Sequence, residues 1–285
     1  MKRTRSVLRD PAALIGGGIV LAICLAAVLA PVLAPYPQDL VAMHFGQRLR
    51  PPSALHLLGT DRVGADILTR LLFGARTTLT VAVIAVSAAL AIGVPIGLVA
   101  GYWGRGLGEV LMRVSDVFLA IPQLILAIAI AETLGPALPN VILALSITYW
   151  PWFARLIYAQ TLSALKEPYV DAALTIGAHP LRIMLRHVLP AVSSAIMVRT
   201  TVGLGFTILT AAALGFLGLG APPDTPEWGR MVADSRDYLP DAWWYALAPG
   251  GAIFLLVMGF NLLGDGLRDL LDPRFAQAAD TGRDA

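Results

Sequence analysis

The sequence predicts an all-α membrane protein with about six transmembrane helices, and two observations carry that prediction. Hydrophobic residues make up 57% of the 285 positions and charged ones only 14%, with a mean hydropathy of +0.72. A soluble domain is closer to about 45–50% apolar and about 25% charged. Long stretches are also almost free of charge over the ~20 residues that a helix needs to cross a bilayer. Continuous apolar runs of that length satisfy their backbone hydrogen bonds only as helices, since barrel strands alternate over about ten residues.

A hydropathy window of about 19 residues places the spans at 12–33, 79–101, 110–134, 141–159, 191–216 and 247–267. The first follows Lys2, Arg3, Arg5 and Arg9 and is too long for a typical signal-peptide core, so it reads as a retained span. Two long segments face the opposite side, 34–78 and 218–246. In the first, LGTDRVGADILTR leads from a loop into an amphipathic helix, with Thr60 or Asp61 as its expected cap. The second holds Trp243, Trp244 and Tyr245, which suit an interfacial aromatic belt.

Six spans put both termini on one side, and basic residues choose the side. With the ends cytoplasmic, Lys2, Arg3, Arg5, Arg9, Arg105, Arg113, Arg155, Lys166, Arg182, Arg186, Arg268, Arg274 and Arg283 lie inside, thirteen in all. Seven lie outside: Arg48, Arg50, Arg62, Arg70, Arg76, Arg230 and Arg236. The positive-inside rule favours cytoplasmic N- and C-termini.

Several chemistries are excluded. The net charge of +2 and scattered arginines do not make a nucleic-acid surface. Cys24 stands alone, so no intrachain disulfide forms. His44, His56, His179 and His187 show no ligand spacing, and no metal site is expected. Ser87, Ser115, Ser146, Ser193 and Ser194 lie near or in spans without GxSxG, HExxH or paired membrane aspartates, which argues against an intramembrane protease.

Within the spans, Pro95, Pro122 and Pro151 each remove a backbone donor and can kink a helix. Gly203, Gly205, Gly215, Gly218 and Gly220 suit close helix packing. Arg113 and Asp116, three apart, are expected to pair on one helix face. Arg199 lies about two turns into the fifth span with no acidic residue within a turn. Either its side chain snorkels or pairs with another helix, or it lines a translocation path.

The inner segment PYVDAALTIGAHPLRIMLRHVLP is the most informative stretch. Residues 169–176 can form a short helix, Gly177 a left-handed stop, and Pro180 the first turn of a second helix. The physics predicts a helix-turn-helix hairpin on the inner face, either an inert loop or a knob for a soluble partner.

Its spacing resembles the EAA loop of ABC importer permeases, EAA, three residues, Gly, nine residues, Ile, one residue, Leu-Pro. Here the pattern reads Asp171-Ala172-Ala173, Gly177, His187 and Leu189-Pro190. Asp171 replaces Glu, and His187 replaces Ile. LGTDRVGADILTRLLFGART, MRVSDVFLAIP, AALGFLGLGAPPDTPEWGRMV and FNLLGDGLRDLLDPR are similar, in order, to the C-type subunit of dipeptide, oligopeptide and nickel permeases. The likeness runs from about Leu57 to Arg274.

That resemblance implies a type I ABC importer permease fold in the bacterial inner membrane. It divides the chain into 1–34, a 35–76 outer loop, a 77–268 transmembrane domain with the coupling loop at 166–190, and a 269–285 tail. It implies that Asp171, Ala172, Ala173, Gly177, Leu189 and Pro190 contact an ATP-binding subunit. The other implied partners are a second permease subunit, a second ATP-binding subunit and an extracytoplasmic solute-binding protein. Lys2 and Lys166 are the only lysines and neither follows a Walker A glycine loop, so ATP and Mg are expected in the partners and no cofactor in this chain. Di- or oligopeptides are the expected cargo, with nickel, metal-opines or glutathione as alternatives. A secondary transporter or channel is the remote alternative.

Overall fold

A computed structural model describes residues 11–271. Lys2, Arg3, Arg5, Arg9, Arg274 and Arg283, which entered the orientation argument, lie outside the described residues, as does most of the 269–285 tail.

Among the described residues the elements are helical. They are α1 (Pro11–Val28), α2 (Ala30–Leu33), α3 (Ile67–Trp103), α4 (Leu107–Ala120), α5 (Gln123–Leu134), α6 (Leu138–Ala164), α7 (Pro168–Thr175), α8 (Pro180–Ile183), α9 (Leu189–Phe216), α10 (Trp228–Ser235) and α11 (Trp243–Leu271). A π-helical segment, Met184–Val188, joins α8 to α9.

Among the described residues, five helices are long and apolar enough to cross a membrane. The expected third span is instead α4 and α5, bent by 87° at their junction. Pro122 is the cause, standing as the N-cap of α5 behind an extended Ile121. Pro95 and Pro151 are absorbed inside α3 and α6, and Pro249 sits likewise inside α11.

The second span starts twelve residues earlier than hydropathy places it. Arg70 and Arg76 lower the local hydropathy, but helical hydrogen bonding continues through them. At 37 residues, α3 is about 55 Å long against a hydrocarbon core of about 30 Å. Its first turns must therefore stand clear of the membrane, where Trp228 Nε1 donates to the Leu71 carbonyl at 2.9 Å.

The central packing is α3 along α6. Gly97 and Gly101 face Ile157 and Thr161 so closely that an added Cβ would lie 2.7 and 2.6 Å from those residues' Cβ atoms, and Gly93 meets Phe153 at 2.6 Å. Glycine at every fourth position lets the backbones touch, the small-residue stripe that holds membrane helices together. Gly16 of α1 packs as closely on α11, where an added Cβ would lie 2.6 Å from Leu263 N. Gly203 and Gly215 make close approaches to Tyr149 and Glu227, as expected of packing glycines, whereas Gly218 is a left-handed stop at φ +83°.

At the end opposite the hairpin, a polar layer fixes the loops. The cap of α3 is Asp66, not Thr60 or Asp61: its carboxylate accepts from Thr69 N at 2.8 Å. Asp61 instead folds the preceding turn, accepting from Val63 N and Ala65 N at 2.9 Å, and pairs with Arg70 at 2.6 Å. His56 Nδ1 lies 3.0 Å from the other Asp66 oxygen and completes the layer. Of the three expected belt aromatics, Trp243 is exposed, whereas Tyr245 is buried in the core against Tyr238. Helix α11 starts before the span does, so its first turn packs on the loops.

Candidate functional site

Two features stand out, one at the start of α9 and one part-way along it. The first is the hairpin. Pro168 occupies the first turn of α7 and Gly177 has φ +75°. Ala178 N donates to Ala173 O at 3.1 Å and Gly177 N to Leu174 O at 2.9 Å, the paired bonds of a Schellman stop. His179 caps α8, its Nδ1 accepting from Leu181 N at 3.3 Å, and Pro180 follows in the first turn.

One face of the hairpin is an anchor. Val170 and Ala173 are buried with Ile183, Met184, Val188 and Val192, against Val94, Leu98 and Ile157 of the α3 and α6 core. The other face is open. Asp171, Ala172 and Gly177 are exposed, Leu189 is half-buried and Pro190 exposed. Ala173 therefore holds the hairpin to its own core, unlike its two neighbours in the motif. Period 3.6 forces that split, because three consecutive residues span most of a helical turn.

Sequence reasoning missed the apolar crown around these residues. Ile176 is 84% exposed, and Tyr169, Leu174, Leu181 and Leu185 are also exposed. An apolar cluster at the tip of a hairpin stabilises nothing within the chain and marks a contact surface. Its signal was present in the sequence as large apolar residues beside a glycine stop.

The π-helical segment lies at the root of the hairpin, where His187 rests 6.4 Å, ring to ring, from Tyr169. Such insertions are rare and concentrate at functional sites.

The second feature is Arg199, eleven residues into α9. Its guanidinium lies 4.8 Å from the Trp152 ring centroid and 5.6 Å from that of Tyr149. Tyr149 in turn stacks on Phe206 at 6.4 Å and 19°. Cation–π contacts of this kind contribute about 0.5–2 kcal/mol, against at least ~3 kcal/mol for a charge at membrane depth. The rings offset part of that cost, and among the described residues no carboxylate pairs with Arg199.

Asp116 does not pair with Arg113. It reaches Arg155 of α6 at 2.7 Å, whereas Arg113 lies 3.9 Å from Glu109 on an open face. Residues three apart share a helix side, but Asp116 turns toward α6 and finds a better-placed partner there.

Where α10 meets α9, Glu227 caps α10, accepting from Gly229 N at 2.8 Å and Arg230 N at 2.9 Å. Burial pushes its carboxyl above the ordinary value, and those two N–H bonds and Arg230 pull it partly back.

The family model described as binding-protein-dependent transport system inner membrane component matches residues 93–277. A second, the N-terminal TM domain of oligopeptide transport permease C, matches 4–52. The chain is 43% identical over 270 residues to the dipeptide transport system permease protein DppC of Alkalihalophilus pseudofirmus, covering 95% of this chain and 88% of that one. It is 43% identical over 281 residues to the di/tripeptide permease DppC of Pseudomonas aeruginosa, covering 96% and 92%. With the glutathione transport system permease GsiD of Pectobacterium atrosepticum it shares 40% over 95% and 89%. Among solved structures, the inward-facing MetNI methionine ABC transporter has a chain of similar fold, with TM-score 0.58 and 20% identity over 71% of this chain and 97% of that one.

Proposed function

The chain belongs to the binding-protein-dependent transport system inner membrane components, the permeases of ABC importers, and from that premise we propose that it carries di- or oligopeptides and takes its driving force through the α7–α8 hairpin. Relatives at about 43% identity are peptide permeases, which supports the cargo class. The glutathione permease at 40% identity represents the alternative cargo, and it is not favoured over the peptide permeases at 43%.

Exposure of the hairpin crown is the observation that carries the coupling role. Ile176 at 84% exposed, with Tyr169 and Leu174, would insert into a groove of an ATP-binding subunit, while Asp171 offers a carboxylate at the rim. Val170 and Ala173 connect that knob to the α3 and α6 core, so movement of the docked subunit would pull on membrane helices directly. ATP and Mg belong to the two partner ATPases, and a second permease subunit supplies the other half of the pore. An extracytoplasmic binding protein delivers the peptide to the loop end. In this reading the hairpin and both termini are cytoplasmic, as the arginine distribution favours. The operating unit is 77–268, with 1–34 and 35–76 as an added helix and loop.

Co-purification tests the docking. Ile176→Asp removes an apolar contact worth about 1.5–3 kcal/mol when fully buried, so retention of the ATP-binding subunits by the tagged permease should fall at least tenfold. Undiminished retention would overturn the assignment.

A further inference from the structure

Arg199 has a geometry that packing alone does not account for. Helix α9 runs from the hairpin end at Leu189, so Arg199 lies about 15 Å along it, near the middle of a hydrocarbon core of about 30 Å. Helix α6 runs the other way and brings Trp152 to the same level. Tyr149 is one turn further from the hairpin, its hydroxyl end received by Gly203. The guanidinium is 4.8 Å from the Trp152 centroid, so the side chain reaches sideways across α6 and toward neither end of the span. That position is not a snorkelling one.

The surface around it is open. Trp152 is 43% exposed and Phe206 46%. One turn from Trp152, the Arg155–Asp116 pair is also partly exposed, at 43% and 38% for the two side chains. Half-exposed ions do not face lipid chains, because nothing there replaces their hydration. The face bearing Trp152, Arg155, Asp116 and Arg199 therefore turns toward water or toward the other half of the pore. Arg155 has its counter-ion, whereas Arg199 has none among the described residues, and its Nε is shielded without a hydrogen-bond partner. A guanidinium presents a planar fork of donors that matches a carboxylate. The rings hold its plane in place and leave its edge to an anion.

We propose that Arg199, held beside Trp152 and Tyr149, is a carboxylate-binding site on the translocation path that contacts the acidic side chains of the peptide as it passes. The inference rests on the reading of the chain as a peptide permease. It makes Arg199 a specificity determinant, favouring anionic over cationic peptides at the pore itself, independently of the binding protein's own preference.

The test uses the complete importer, with both permease subunits, the ATP-binding subunits and the binding protein, in proteoliposomes. Uptake of radiolabelled alanyl-aspartate and alanyl-lysine is measured together with the ATPase rate stimulated by loaded binding protein. Because the binding protein is the same throughout, its selectivity cancels when variant and wild type are compared. Arg199→Gln should lower alanyl-aspartate uptake about tenfold, the effect of one lost charge-assisted contact, and alanyl-lysine uptake distinctly less, with stimulated ATPase kept. Arg199→Lys should restore part of the preference.

An equal fall for both peptides, or unchanged uptake of both, would overturn the proposal. So would a parallel loss of ATPase, uptake and the second permease subunit from the purified complex, since that would make Arg199 a subunit contact. If the wild-type importer carries neither peptide, the peptide-permease reading itself fails, which is seen before any variant is compared.

Discussion

Replacing Gly177 isolates the backbone geometry of the hairpin from its surface chemistry. The residue sits at φ +75°, and a Cβ built there meets no atom within 4 Å. No clash is created, so the whole cost is that of holding an L-residue in the left-handed region, about 1–2 kcal/mol, and the upper end applies to a β-branched side chain. That is a factor of about 5–30 in the population of the correct turn. Val170 and Ala173 keep α7 on the core, so the hairpin stays attached while its tip loses the bonds from Gly177 N and Ala178 N. Stimulated ATPase and peptide uptake are measured in proteoliposomes for Gly177→Asn, Gly177→Ala and Gly177→Val. Coupled uptake should stay near wild type for Asn, which tolerates the left-handed region, fall for Ala and fall most for Val, by about 5–30-fold. A full rate for Val would refute the reasoning. So would an equal loss in all three, which would point to contact with the glycine surface itself.

Gly229→Ala should lower the unfolding temperature in detergent, because its Cβ would lie 2.6 Å from Ala212 Cα, an overpacking of about 1–3 kcal/mol. Gly250→Ala, with open space at its Cβ, should show no loss in the same melt. Asp66→Ala removes the α3 cap and the partner of His56 Nδ1, so stability should fall by about 1–2 kcal/mol, with Asp66→Asn recovering much of it in denaturant titration. Glu227 supplies a pH test. Its folded value is raised above the ordinary 4.5, so the folded state binds more protons and stability falls as pH rises through that window. Glu227→Gln should flatten that part of the melting-temperature profile, and an unchanged slope would show that another group sets it.

Much of the hairpin was legible because its signals are local. Pro168, Gly177 and Pro180 each act through their own backbone, and the motif spacing around them survived intact. The cap of α3 was misplaced by a few residues because Thr60, Asp61 and Asp66 are all competent caps. The choice among them depends on His56 and Asp39, which arrive from elsewhere in the chain. The Arg113–Asp116 pairing failed for a similar reason, since Arg155 comes from another helix.

Hydropathy and the proline and glycine positions determined by themselves that the chain is a bundle of membrane helices with a hairpin between the two that flank it. Burial in lipid needs only runs of apolar residues, and turns need only φ. Tertiary structure decided everything that depends on which helix meets which. It selected Pro122 over Pro95 and Pro151 as the proline at which a span bends, seated α3 on α6 through Gly93, Gly97 and Gly101, and split the motif into an outward Asp171 and Ala172 and an inward Ala173. It also placed Arg199 against Trp152 and Tyr149, residues about fifty positions away in the chain. A lone charge has no partner written in its own neighbourhood, and only the packing of α6 on α9 says what surrounds it.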